Sequence, residues 1–418
     1  GRLADYTEFD RKNYFYPDLP KGYQISQFEY PLVSGGELRG VAITRIHLEE
    51  DTASSIHDEN TNATTIDFNR AGVPLMELVT EPVIHSAQEA GNFARELQLL
   101  LKYLGVSGAN MEKGEMRVEA NISVGENGQL GTKVEIKNLN SFRVMERAVA
   151  YEIKRQTKLL ERNEKIVQET LGWDEAKQAT FPQRVKEGSA DYRYFPDPDL
   201  PSLMLSEISE FNRDSLARHA PELPSERRLR YISLGIKGED VELFVRERKL
   251  GDFFDEVTSL LGKTNLRAIK LASNYIINDL IKIISSSAMA MKDRRDIEQR
   301  DTDYQSEIPI SARNFTTIIE MICSNRISSR GAKDLIGLTA LSEADPEEIA
   351  TEKKLFLDTV SADLDSIIDA VLLKNGPVVE DFKAGKTVAL EYLVGQAMKV
   401  TRGGADPNAI RSLIIRKV

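Results

Sequence analysis

Arg117-Val-Glu-Ala-Asn-Ile-Ser-Val124 reads as a strand from its alternation alone, with Arg117, Glu119, Asn121 and Ser123 on one side and Val118, Ala120, Ile122 and Val124 on the other. A period of two sends successive side chains to opposite faces, so this segment buries one face and wets the other. Gly125-Glu-Asn-Gly128 interrupts it, and Thr132 to Lys137 resumes it with Val134 and Ile136 opposite Lys133, Glu135 and Lys137. Two such runs around a glycine-containing loop predict an antiparallel hairpin whose polar sides share one face.

Helical signals flank the hairpin. Ser86 and Glu89 form a Ser-x-x-Glu capping box, Phe93, Leu97, Leu100, Leu101 and Leu104 follow at helical spacing, and Gly105 closes the segment. A second helix is predicted over 142–160, with Phe142, Met145, Val149 and Ile153 on its buried stripe. Both periods in one region describe an α+β layered domain, an antiparallel sheet with packed helices. The Tyr192–Pro201 block, with prolines at 196, 198 and 201, reads as irregular and as the end of this domain.

Beyond Leu205 the strand signals vanish, and segments such as 266–284 and 388–398 read as helices, so the second half is all-α. The expected division is an α+β domain over 1–205, a helical domain over 206–296 and a helical tail over 297–418. Charged sequence from Asp293 to Asp303 marks the second boundary.

Composition excludes more than it assigns. The chain has 418 residues, 41% of them hydrophobic and 29% charged, as in ordinary globular proteins. No apolar run of membrane-spanning length occurs. The single Cys323 rules out an internal disulfide and a thiolate-rich zinc site, and its apolar neighbours describe a buried structural thiol. A net charge of −11 argues against a general positive field for nucleic acid, so any such contact must be local. One local cluster is Lys399, Arg402, Arg411, Arg416 and Lys417, with only Asp406 as an acid in the same stretch.

Several catalytic signatures are missing. Gly262-Lys-Thr264 and Gly385-Lys-Thr387 resemble phosphate-binding loops, but the glycine needed five residues earlier is Val257 in one and Glu380 in the other. No Gly-x-Ser-x-Gly elbow and no Gly-Ser-Ser-Gly-Gly segment occurs, so the chain is not expected to hydrolyse glutamine. The four histidines show no His-Glu-x-x-His spacing, and His47, beside an acidic block, is the one retained as a site residue.

Two irregular, chemically dense segments stand out: Phe9-Asp-Arg-Lys-Asn-Tyr-Phe-Tyr-Pro-Asp-Leu-Pro-Lys-Gly-Tyr-Gln-Ile-Ser26 and Thr44-Arg-Ile-His-Leu-Glu-Glu-Asp51. Neither reads as plain helix or plain strand, and such segments commonly line sites. Together with Asp67–Pro82, Lys133–Phe142 and Asp191–Pro201 they resemble, in order, the B subunits of the tRNA-dependent amidotransferase, which convert glutamate or aspartate on tRNA into glutamine or asparagine. Weaker similarity continues to the C-terminus, where the tail is YqeY-like. The family implies several dozen residues before the first block, including a Glu-x-His segment, so the chain is expected to be a fragment.

The resemblance implies ATP and Mg²⁺ as cofactors and a metal site at Glu50, Glu77 and Glu119. Glu119 stands where relatives more often have Asp, one methylene shorter. Hard carboxylate oxygens are what Mg²⁺ prefers. Lys12, Lys21 and Glu112 match positions along an ammonia route. Lys399, Arg402, Arg411 and Arg416 are expected to meet the tRNA. The partners implied are an amidase A subunit, a small C subunit and misacylated tRNA, in a bacterial cytoplasm or an organelle. The alternatives are a non-catalytic tRNA-binding or assembly subunit, or a free-standing carboxylate–amine ligase for a small metabolite. The three acids in motif context count against the first and the long helical half against the second.

Overall fold

A computed structural model of the chain describes residues 1–58, 61–126, 128–185, 192–285, 308–342, 344–357, 361–401, 405 and 407–418. These residues form two compact units, Gly1–Pro224 and Ser225–Val418. The boundary expected within 293–303 and Asn127 of the hairpin loop lie outside the described residues.

In the first unit the expected hairpin is present: Ala120–Ile122 pairs antiparallel with Val134–Ile136. Glu169–Asp174 joins Val134–Ile136 in parallel, and Ala179–Val185 completes the sheet antiparallel. The parallel pair was not expected. It arises because the helix Phe142–Glu161 lies between those two strands in the chain and serves as the crossover that parallel neighbours require.

Helix Phe142–Glu161 and helix Ala87–Leu104 pack on the apolar face of this sheet, around Ala94, Ile122, Ile136, Leu139, Met145, Ala148 and Val149. Both helices start as their sequences dictate, with the Ser86 hydroxyl accepting from the Glu89 N–H and the Ser141 hydroxyl from the Val144 N–H. Glu89 reaches back one residue further than a standard capping box and accepts from His85 N–H at 2.7 Å. Gly105, at φ 69°, closes the first helix in the left-handed conformation that favours glycine.

The other large sheet is built on Val41–Glu50, which pairs along its length with Pro74–Thr80 and on its other edge with Val33–Ser34 and Glu37–Leu38. Asp10–Asn13 and Tyr23–Ser26 form an antiparallel pair, flanked by Phe195–Pro196. Three expectations are corrected here. Phe9–Ser26 contains two strands, Thr44–Asp51 is almost wholly strand, and the proline-rich block contributes a two-residue strand. The first was obscured because Gln24 and Ser26 are buried although polar, which defeats a hydrophobic reading of the alternation. The last is tolerated because Pro196 occupies an outer strand, where no ladder donor is needed.

The second unit is helical among its described residues, apart from an isolated bridge between Ile327 and Phe356. The expected segments appear as Leu266–Tyr275, continued by a π-helical turn Ile276–Leu280, and as Thr387–Val400. Cys323 is half-buried rather than fully enclosed. No helix among the described residues is long and apolar enough to cross a membrane.

Ile136 is fully buried where the sheet meets both helices, so Ile136→Ala should cost about 2–5 kcal/mol in chemical denaturation. Leu130→Ala, at an exposed position, should change the midpoint little. Equal effects would show that the packing face is misassigned.

Candidate functional site

Strand alternation in Val41–Glu50 buries the His47 and Glu49 side chains on one face. The pairing register sets Glu77 of Pro74–Thr80 directly opposite His47, which on antiparallel strands puts both side chains on the same face. His47 Nε2 stands 3.3 Å from Glu49 Oε1 and 3.9 Å from Glu77 Oε2. His47, Glu49 and Glu77 offer ligand atoms that all lie within 4.8 Å of one another, the one such group among the described residues. Two carboxylates suit a hard cation such as Mg²⁺, whereas the imidazole is a softer donor and already faces Glu49.

Glu49 is the most heavily solvated of these acids by protein groups. Ser26 hydroxyl donates to it at 2.8 Å, the Gln24 amide at 3.2 Å, and the Lys12 ammonium stands 3.4 Å away. Burial by itself would raise the Glu49 pKa, but the hydrogen bond with His47, the Lys12 charge and the Ser26 hydroxyl overcome it and bring it down to about 2. Glu49 therefore stays ionised at any ordinary pH.

The expected ligands Glu50 and Glu119 are held differently. Glu50 pairs with Lys21 and accepts the Ile25 N–H at 3.0 Å. Glu119 sits on the exposed polar face of the hairpin and pairs with Lys137 at 3.2 Å. Lys137 bridges Glu119 and Glu135. Tyr192 lies under the Lys12 ammonium, 5.2 Å from ring centroid to nitrogen, and Lys12 leads through Glu49 and His47 to Glu77.

Aromatic rings wall this line. Tyr14, Tyr192 and Tyr194 meet edge to face, and Phe28 stacks on Tyr194 at 4.4 Å. Burial, with Glu49, Tyr192 and Glu77 nearby, pushes the Tyr194 hydroxyl up to about 12. Phe15 and Tyr16, which alone would read as core residues, are exposed at 90% and 51%.

Asp51, at the end of the long strand, is buried and binds Arg70 at 3.0 Å and Arg117 at 3.3 Å. Arg117 precedes the hairpin, so this carboxylate ties the two large sheets together. Arg70 also donates to Gly114 carbonyl at 2.8 Å, anchoring the turn that carries Glu112, whose side chain is exposed.

In the tail, acids from neighbouring helices meet the basic residues, which the local sequence did not anticipate. Arg411 forms an ion pair with Glu391 at 2.8 Å, Lys417 with Asp369 at 2.7 Å and Asp365 at 2.9 Å, and Arg416 reaches Asp365 at 3.9 Å. Lys399 stands in the last turn of Thr387–Val400, and Arg402 lies outside the described residues.

Sequence reasoning selected Glu50 over Glu49 and kept His47 only as a minor candidate. The alternation of the strand was the available signal, because it puts His47, Glu49 and Asp51 on one face and Glu50 on the other. Tyr192, Tyr194 and Lys137 fall in two of the motif blocks, but nothing local assigns their side chains to this place, since the segments that carry them are distant in the chain.

The GatB/GatE catalytic domain model matches residues 1–209 and the GatB domain model residues 252–418. The B subunit of the aspartyl/glutamyl-tRNA(Asn/Gln) amidotransferase of Carboxydothermus hydrogenoformans is 39% identical over 431 residues, covering 100% of this chain and 85% of that protein. B subunits of the same description from Prochlorococcus marinus and Gloeothece citriformis are 38% and 36% identical, covering 100% of this chain and 85% and 84% of their own lengths. With both halves matched and the resemblance of its motif blocks borne out, the chain belongs to the GatB family of amidotransferase B subunits.

Proposed function

We propose that this chain activates the side-chain carboxylate of glutamate on tRNA(Gln), of aspartate on tRNA(Asn), or of both, with ATP, and then directs ammonia onto the activated group. The observation that carries this reading is the convergence of His47, Glu49 and Glu77 beside Lys12 in a chain of this family. The relatives' names specify the aminoacyl-tRNA substrates.

A carboxylate is a poor electrophile because its negative charge repels nucleophiles. Transfer of the γ-phosphoryl group to one carboxylate oxygen releases ADP and leaves an acyl phosphate. Ammonia then attacks the acyl carbon, the C–O bond to phosphate breaks, and the surplus proton leaves with solvent or phosphate. Water would hydrolyse the same intermediate, so an enclosed path for ammonia serves the second step.

Glu77, half-exposed, and Glu49 are the carboxylates best placed to hold Mg²⁺, and Glu50 and Glu119 are proposed as further ligands on the family resemblance; once bound, the ion would neutralise charge on the nucleotide phosphates. His47 would orient Glu49 through their hydrogen bond. Lys12 and Lys21, each fixed on a carboxylate, and Glu112 are the residues proposed to line the ammonia route. Ammonia would come from an amidase A subunit, with a small C subunit completing a cytoplasmic complex. The helical domain and the YqeY-like tail, divided near residue 296, would hold the tRNA body, with Lys399, Arg402, Arg411 and Arg416 as its contacts.

The test is amidation of glutamyl-tRNA(Gln) with ATP, Mg²⁺ and ammonium chloride by the chain co-expressed with its partner subunits. Glu77→Gln should lower the rate on the order of 100-fold or more. Product at the unmodified rate in that variant would sink the site assignment, and tRNA binding without any ATP-dependent product would favour a role in assembly alone.

Glu49 also predicts a pH dependence. Its folded pKa, about 2, lies below the ordinary 4.5, so its ionised form stabilises the fold above pH 4.5 and that contribution disappears as pH falls towards 2. Unfolding followed by circular dichroism should show this acid limb in the unmodified chain and a shallower one in Glu49→Gln. Identical limbs would mean that Glu49 is not held as described.

A further inference from the structure

Helix Phe142–Glu161 has a second side that the site leaves unused. Its inner side packs Val144, Met145, Ala148, Val149, Glu152 and Gln156 against the sheet. Another side opens on a cleft of about 310 Å³ lined by Tyr151, Lys154, Arg155, Lys158, Leu159 and Arg162.

The charge balance in this cleft is unequal. Arg155 is neutralised, since Glu152 binds its guanidinium at 2.7 and 2.8 Å and Glu169 stands 3.4 Å away. Lys154, Lys158 and Arg162 make no ion pair among the described residues, although Glu161 and Glu164 are close in sequence. Cations in the last turn offset the negative end of a helix, which accounts for Lys158 and Arg162 but not for Lys154, two turns before the end. The three follow at four-residue steps, each about 6 Å along the axis. That is a slanting row of unneutralised charge, lining one cleft and ending at the residue that caps the helix, on an acidic chain, in contrast with Arg411, Arg416 and Lys417 of the tail, each facing a carboxylate. Tyr151 forms the wall beside the row, its ring fixed edge-on against Trp173 at 5.9 Å.

We propose that this cleft binds the sugar–phosphate backbone of RNA, with Lys154, Lys158 and Arg162 on successive phosphates and the Tyr151 hydroxyl available to a phosphate or 2′-hydroxyl. Evenly spaced point charges along a rod match a backbone of evenly spaced anions, and such contacts hold RNA by its shape and charge without reading sequence. The inference rests on the proposed tRNA substrate and gives it a contact on the first unit, apart from the tail.

The experiment measures binding of an unacylated tRNA transcript by fluorescence anisotropy over a salt series, with the co-expressed complex carrying Lys154→Gln, Lys158→Gln and Arg162→Gln together. Circular dichroism confirms folding, and single Lys154→Gln and Lys158→Arg variants accompany the triple one. The triple variant should bind more weakly and lower the slope of log K against log salt by roughly 2 to 3, at ~0.7–0.9 per lost contact. Lys154→Gln should lower the slope by about one such step, and Lys158→Arg should leave it unchanged. In amidation, the triple variant should raise KM for tRNA while leaving kcat in place. Affinity and salt slope equal to the unmodified complex would overturn the proposal, whatever the amidation assay gives. Unchanged tRNA binding with weaker assembly of the partner subunits would overturn it in favour of an acidic protein contact. Failure of the amidation reading itself would appear separately, as absence of product from the unmodified complex that still binds tRNA.

Discussion

A buried carboxylate, Glu49, is the constraint around which the first unit is organised. An ionised group removed from water is costly unless it is paired and hydrogen-bonded. Its partners come from three separate segments: Lys12 from Asp10–Asn13, Gln24 and Ser26 from Tyr23–Ser26, and His47 from its own strand. The charge is satisfied only when the hairpin Asp10–Ser26 is seated against the long strand. Seating it there also fixes the Lys12 ammonium beside Tyr14 and Tyr192. Removing any one partner leaves the others facing an undercompensated charge in a low-dielectric setting.

The same logic appears at Asp51, with a different result. There the carboxylate joins sheets rather than strands, because Arg70 and Arg117 approach it from beyond the two strand ends. The second unit uses a cation instead. Arg227 is buried, binds Asp252 and Asp255 at 2.7 Å each, and donates to the Tyr231 hydroxyl at 2.9 Å. Tyr231 in turn donates to Gly251 carbonyl and packs against the stacked pair Phe244 and Phe254. Polar groups thus fix the geometry in both units, while apolar burial supplies most of the driving force.

Periodicity was a reliable guide wherever the buried side of an element is apolar. The hairpin at Ile122 and Ile136, the capped helices and the helical second half were all legible for that reason. It failed at Gln24, Ser26, His47 and Glu49, because an alternation that buries polar residues looks like none at all to a hydrophobic pattern. It failed again at the tail, where Arg411 and Lys417 find their acids on Glu391 and Asp369, twenty and forty-eight residues away. The crossover that makes one strand pair parallel was equally invisible, since direction within a sheet is set by what the connecting helix packs against.

By itself, the sequence determined the family, the α+β character of the first half, the helical second half and the acidic block that contains two members of the candidate site. Those properties are local or carried by contiguous motifs, and local periodicity with side-chain chemistry is enough to express them. Only the tertiary structure decided which acid of the block is buried, that His47 faces Glu77 across a strand pair, and which cations remain unneutralised. Each of these depends on register and on partners distant in the chain, and no local pattern encodes a distance between segments that meet only on folding.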